Sequence, residues 1–291
     1  MIKEKLKNFL KKKHLNVSLK SARHPMVEKY LKNAKLLGFT IEQLEEFLND
    51  PEASLKLKHL FIVDSPKRVS FDLVAKNFFI EVIFEDIYQL EKIPFKNNEK
   101  IKIIDVGANC GIFGVMARAR FPHSTIHCYE PNEKLKKYYD LQSFAAYLKY
   151  FDEAVGLNDG FCGSDERQNI MFDCEAVKMM DFQKEGKIKV TALKNALKRI
   201  GGYVDLLKLD CEGSEWNILK DKDSLKKVKY LTMEYHRMCH DNSFDVFDFS
   251  IDIQKKACDI LRENNFEILH AKNTSHTAGV LSAKNNNFCL D

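Results

Sequence analysis

The chain has 291 residues, 45% hydrophobic and 30% charged. That is enough for one large domain with an extension, and too apolar for a disordered chain. No run of about 18 apolar residues occurs, which excludes a membrane-spanning helix. The charged start MIKEKLKNFLKKKH lacks the apolar core of a secretory signal, so the expected location is the cytoplasm. The net charge of +4 is uneven: residues 1–24 hold eight basic groups and one acid, which leaves the rest of the chain slightly acidic. A basic nucleic-acid-binding body is therefore not expected. The Lys-rich start reads as a solvated helix end, with peripheral contact at the inner face of a membrane as the alternative. The eight cysteines form no CxxC pair and read as reduced thiols in apolar surroundings.

In chain order, residues 1 to about 80 read as a helical arm or cap. Ile2, Leu6, Phe9 and Leu10 share one helical face, and Met26, Tyr30, Ala34 and Leu37 continue the spacing. Thr40 and Gln43 form a capping box opening a helix over Ile41–Leu48. From about 81 to 291 the pattern alternates. Strands are expected at Ile101–Val106, Thr125–Tyr129, Lys149–Val155, Val204–Leu209 and Tyr230–Tyr235, with Phe266–Ala271 and Gly279–Ala283 closing the sheet. Helices are expected at Gly111–Phe121, Lys134–Tyr147, Glu215–Leu219 and Asp252–Asn264, and an insertion loop or hairpin over Asn158–Glu185. This alternation implies an α/β fold with a doubly wound, largely parallel sheet.

The first strand runs through Asp105 and Val106 into the turn Gly107-Ala108-Asn109-Cys110-Gly111. The spacing is neither a dinucleotide fingerprint nor a P-loop. Gly107 suits a close backbone approach by a ligand, and Gly111 suits tight helix–strand packing. Asp105 would repel a diphosphate and welcome an ammonium. Glu130, 23 residues past Gly107 at the tip of the second strand, is placed to bind ribose hydroxyls. The ligand so described carries a ribose and an amino-acid group but no diphosphate, which fits S-adenosylmethionine.

These residues, with Tyr129-Glu130-Pro131-Asn132, Glu153-Ala154-Val155-Gly156, Lys208-Leu209-Asp210-Cys211-Glu212-Gly213-Ser214-Glu215 and Glu234-Tyr235-His236, resemble the FkbM family of S-adenosylmethionine-dependent methyltransferases. The segment Phe84–Leu90 resembles the one that precedes the family's first strand. The resemblance covers about 84–283. It implies a class I, Rossmann-like sheet of seven strands with the last antiparallel, and O-methylation of a hydroxyl, often on a sugar. By position it implies that Asp105, Gly107, Ala108, Asn109 and Gly111 line the methionine part of the cofactor, that Glu130 and Pro131 hold the ribose, and that Glu153 and Ala154 border the adenine. Gly114 stands where the family has Ser or Thr, and Ala192-Leu193-Lys194 where a Leu-Asp pair is common.

Lys208, Asp210 and Glu212 alternate at a strand end and are expected on one face, at the carboxyl edge where open α/β sheets bind ligands. Glu234 and His236 end the next strand. His236 is the first choice as the base that takes the acceptor's proton, because its ordinary pKa lies near neutrality. Asp210 is the second, and Glu234 orients or binds. Glu215, at the start of a helix, reads as structural. Tyr88 could fold over the pocket, and Trp216 reads as core packing. Zinc held by His236, Cys239 and His240, and Mg²⁺ held by Asp210, Glu212 and Glu234, are alternatives to a preferred metal-free site. The expected partner is a carbohydrate or other hydroxyl-bearing acceptor, with a surface glycan or its precursor favoured. Methylation of a nitrogen in protein or nucleic acid, or a non-catalytic binding module, are the competing readings.

Overall fold

The computed structural model describes residues 24–49, 60–61, 68–69, 80–136, 139–140, 146–163, 180–183, 188–237 and 250–288. The Lys-rich start, with its expected membrane contact, and the zinc candidates Cys239 and His240 lie outside the described residues. Among the described residues no helix is long and apolar enough to cross a membrane. Cys128, Cys211 and Cys258 are free thiols.

Two N-terminal helices, α1 (Val27–Leu36) and α2 (Ile41–Asn49), form as their spacing predicts. The capping box closes reciprocally: Thr40 N–H donates to Gln43 Oε1 and Gln43 N–H to Thr40 Oγ1. The expectation of an all-helical lead is corrected by β1 (Leu60–Phe61) and β2 (Arg68–Val69), which pair antiparallel. A π-helical turn at Ile80–Phe84 follows. Phe84 is the hub of this layer, stacked on Tyr30 and met edge-on by Phe39 and Phe47. Asn33 Nδ2 donates to its carbonyl. Val27, Ala34, Leu44 and Phe84 share one apolar cluster with Ile103, Phe113 and Met116, so the helices cover one face of the sheet.

That sheet contains β3 (Lys102–Val106), β4 (Thr125–Tyr129), β5 (Lys149–Phe151), β10 (Val204–Leu209), β11 (Val228–His236), β12 (Phe266–Asn273) and β13 (Ala278–Asn285). Its order is β12-β13-β11-β10-β3-β4-β5. β5, β4, β3, β10 and β11 are parallel, and only β13 runs against its neighbours. This is the class I methyltransferase sheet. Helices α3 (Ile112–Arg120) and α4 (Leu193–Arg199) belong to opposite apolar clusters, which makes the sheet doubly wound. Short helices α5 (Glu215–Ile218) and α6 (Lys222–Leu225) follow β10, and α7 (Ile253–Glu263), capped by Asp252, precedes β12.

The expected single strand Lys149–Val155 is two. It breaks at Asp152-Glu153, and β6 (Ala154–Gly156) joins a second sheet of order β6-β9-β7-β8. The insertion supplies the hairpin β7 (Gly160–Gly163) and β8 (Met180–Gln183). β9 (Ile188–Ala192), not expected, pairs parallel with β6. Asp159 joins this sheet to α4, accepting from Ala192 N and Asn195 Nδ2. It supplies the anchor at a helix start whose own N-cap, Ala192, offers none. For the expected helix Lys134–Tyr147, the structure describes a 3₁₀ turn at Glu133–Leu135 and helical residues at 136, 139, 140 and 146.

Candidate active site

The first apolar strand delivers Asp105 into the sheet and Gly107 into the turn. Asp105 is fully buried, and its register neighbour on β10 is Lys208. Lys208 Nζ lies 3.1 Å from Asp105 Oδ1 and 3.6 Å from Asp210 Oδ2, and donates to Gly107 O at 2.8 Å. Burial opposes its charge, but Asp105 and Asp210 outweigh burial and hold the ammonium above its usual range. The expectation that Asp105 waits for a ligand's ammonium is thus corrected: the ammonium belongs to the protein. Lys208, expected among the catalytic groups, is a buried strut between two strand ends.

Gly107 has the same lesson. Its φ is +70°, and an added Cβ would lie 1.7 Å from the carbonyl oxygen of Asp210. The neighbouring strand's loop itself makes a close approach here. Gly107 N and Ala108 N both donate to Tyr129 O, and Gly111 N donates to Ala108 O. Asn109 is also left-handed, at φ 51°, with its Oδ1 accepting from Cys110 N. Gly111, at φ +84°, opens α3 as its N-cap. Left-handed geometry, rather than helix–strand packing alone, explains this glycine.

Glu130 ends β4 beside this turn. Its Oε2 accepts from Asn109 N and its Oε1 from Asn132 N, each at 2.9 Å. Burial raises its pKa, and the two amides work against that rise. An ionised carboxylate has about four acceptor positions, so each oxygen retains one for a ligand diol. The acceptor chemistry of this carboxylate therefore fits a ribose-bearing cofactor. Pro131 continues the same tip, half-buried. Ala154 is buried in β6. The Glu153 carboxylate is occupied by Arg199 and Lys189, at 2.6 and 2.7 Å. Gly114 has no room for the family's Ser or Thr without a shift, since a Cβ there would lie 2.9 Å from Leu148 Cδ1.

The acceptor side is built from the ends of β10 and β11. The expected alternation stops at Leu209, where β10 ends. Glu212 sits beyond it in a left-handed backbone, φ 52°. The Asp210 and Glu212 carboxylates nevertheless meet His236: its Nε2 lies 4.0 Å from Asp210 Oδ1 and 3.6 Å from Glu212 Oε2. Glu215, buried completely, fixes the ring from behind. Its Oε1 accepts from His236 N at 2.8 Å and lies 3.0 Å from His236 Nδ1, while Oε2 accepts from Gly213 N. Trp216 Nε1 donates to His236 O. Glu215 keeps the expected structural character, but its place as the residue that aims His236 was missed. The signal for it was the last Glu of the Asp210-x-Glu212-x-x-Glu215 run.

Burial opposes the imidazolium, but the Glu215 hydrogen bond and the fields of Glu215, Asp210 and Glu212 outweigh it and push His236 up to about 10. That corrects the ground on which His236 was preferred as base. The surrounding acids favour the protonated ring. Glu234 is pushed up to about 8, mainly by burial and then by Asp210.

Tyr88 is buried. Its O–H donates to Asp210 Oδ2 at 2.6 Å, its ring meets Phe113 edge-on, and its carbonyl accepts from Thr232 Oγ1. Asp86 positions the segment by accepting from Leu90 N and Glu91 N. The Mg²⁺ trio is corrected as well: the donors within 4.8 Å of one another are Asp210, Glu212 and His236, without Glu234.

The family model described as the Methyltransferase FkbM domain matches residues 105–268, more than half of the chain. This chain belongs to the FkbM methyltransferase family. Among solved structures, the FkbM methyltransferase of Methylobacillus flagellatus KT is 15% identical at a TM-score of 0.42, the match covering 88% of this chain and 58% of that one. The precorrin-6y C5,15-methyltransferase of Geobacter metallireducens GS-15 is 13% identical at 0.38, covering 77% and 97%. Aeropyrum pernix fibrillarin, solved with natively bound S-adenosyl-L-methionine, is 12% identical at 0.41, covering 68% and 74%. No curated protein matches.

Proposed function

We propose that this FkbM methyltransferase transfers the methyl group of S-adenosylmethionine to a hydroxyl oxygen, on a sugar of a surface glycan or its precursor. The observation that carries the reading is the cluster of polar side chains at the ends of β10 and β11, where Asp210, Glu212, Glu234 and His236 gather next to the Gly107 turn. The backbone of Gly107–Gly111 and the Glu130 carboxylate would hold the cofactor, which supplies an electrophilic methyl group when bound. Asp105 and Lys208 keep the turn and the acceptor pocket in register. The polar strand ends bind and orient the hydroxyl so that its oxygen lies in line with the methyl carbon. As the carbon–oxygen bond forms and the sulfur–carbon bond breaks, the hydroxyl proton passes to an ionised strand-end carboxylate, Asp210, or Glu234 once it has lost its own proton.

Calorimetric titration of the full chain with S-adenosylmethionine tests the cofactor half. Saturable binding, at least tenfold weaker in Glu130→Ala, supports it, and no binding in the native chain ends it. Mass spectrometry of surface glycans from cells with and without the gene tests the acceptor half. The expected result is a loss of one methylene mass per modified unit, and an unchanged glycan would move the acceptor elsewhere.

A further inference from the structure

We infer that Asp210, Glu212 and His236 form a divalent-cation site of the carboxylate–imidazole type at the mouth of the acceptor pocket. The donor atoms lie within 4.8 Å of one another, close to the spread of three ligands around one ion with little adjustment. Each inner donor is presented by a partner that ties up its other atom. Asp210 Oδ2 is taken by the Tyr88 hydroxyl, which leaves Oδ1 facing His236. His236 Nδ1 is taken by the buried Glu215 carboxylate, which leaves Nε2 facing both acids.

The His236 side chain is about nine-tenths buried, and its Nε2 faces the Glu212 and Asp210 carboxylates at 3.6 and 4.0 Å; a cation bound here takes the place of the proton that these acids hold on the ring. A histidine whose far nitrogen is held by a carboxylate is the usual outer shell of a metal-bound imidazole. The Glu212 side chain is about one-third exposed, so the cluster reaches solvent. The mixed nitrogen–oxygen set favours Mn²⁺ or Zn²⁺ over Mg²⁺, which prefers oxygen alone. In the proposed methyl transfer, on which only this sentence rests, a cation bound to Asp210 Oδ1 leaves Glu234 as the carboxylate that takes the proton.

The test uses the full chain stripped with chelator, without cofactor or acceptor, so its failure leaves the methyl-transfer reading standing. Mn²⁺ is titrated by calorimetry and by electron paramagnetic resonance, with pulsed detection of histidine ¹⁴N coupling. One equivalent per chain with ¹⁴N coupling is expected. Affinity should fall about 10–100-fold in Asp210→Asn and in Glu212→Ala, and the coupling should vanish in His236→Gln, all with native circular dichroism. Glu212→Ala keeps the test open should the more buried variants unfold. No Mn²⁺ or Zn²⁺ binding at millimolar concentration, binding unchanged in Glu212→Ala, or a bound ion without nitrogen coupling would each overturn the site.

Discussion

At the scale of single residues, the Asp105–Lys208 pair decides how far the two halves of the site can drift. Both side chains are essentially inaccessible, and a buried pair broken on one side costs about 3–5 kcal/mol. Lys208→Met should therefore lower unfolding free energy in urea by an amount in that range, with proton uptake by Asp105 limiting the loss. Asp105→Leu/Lys208→Met should recover most of it, and a single variant within about 1 kcal/mol of native would show the strut to be dispensable. Glu234 carries a pH dependence. Its folded pKa, about 8, lies above the ordinary 4.5, so the stability it contributes is complete below 4.5 and is lost as pH rises through 8. In metal-free protein, Glu234→Gln should flatten the fall in melting temperature over that window. The sequence named Asp105, Gly107 and Lys208 as special, but read Asp105 and Gly107 as facing a ligand and Lys208 as a site residue, with a salt bridge to an acid as the alternative. Their real partners sit about 100 residues away across β3 and β10, and no local pattern states that pairing.

Among elements, those with strong periodicity or caps were legible. α2 opens where Thr40 and Gln43 predicted, and both hydrogen bonds of the box are made. Since Leu44 and Phe47 bury its apolar face, Thr40→Ala should cost about 1 kcal/mol, read as a lowered denaturant midpoint with unchanged m-value. β3, β4 and β10 are mostly apolar, are buried on both faces over nearly their whole length and were placed almost to the residue. β6 and β9 were not separately legible. Three-residue strands carry no period, and β9 differs from a loop only because Gly160–Cys162 and β6 lie on either side of it. The turn after β3 depends on one conformational fact. Gly107→Ala would drive a Cβ into the Asp210 carbonyl at positive φ, a backbone clash that flexible side chains cannot relieve. Misfolded or insoluble protein is the expected result, and a soluble variant with native melting would show that the loop of β10 can yield.

On the scale of the whole molecule, the N-terminal helices are part of the sheet's own core. Val27, Tyr30 and Phe47 pack into the cluster that contains Ile103 and Met116, although they lie outside the residues matched by the family model. A chain beginning at residue 81 should therefore expose that face, bind a hydrophobic dye and lose cooperative unfolding. Equal cooperativity in the shortened chain would make the layer an accessory. The arm was legible as helical, but its docking was not, because an amphipathic face does not announce which surface covers it. One further property follows from the placement of Trp216. It is the chain's single tryptophan, buried and bonded through its indole N–H to the carbonyl of His236. The protein thus carries one indole fluorophore, held against the end of β11 and separable from its ten tyrosines by excitation wavelength. Its emission reports the state of that strand end in real time, without a label, during cofactor addition, cation addition or unfolding.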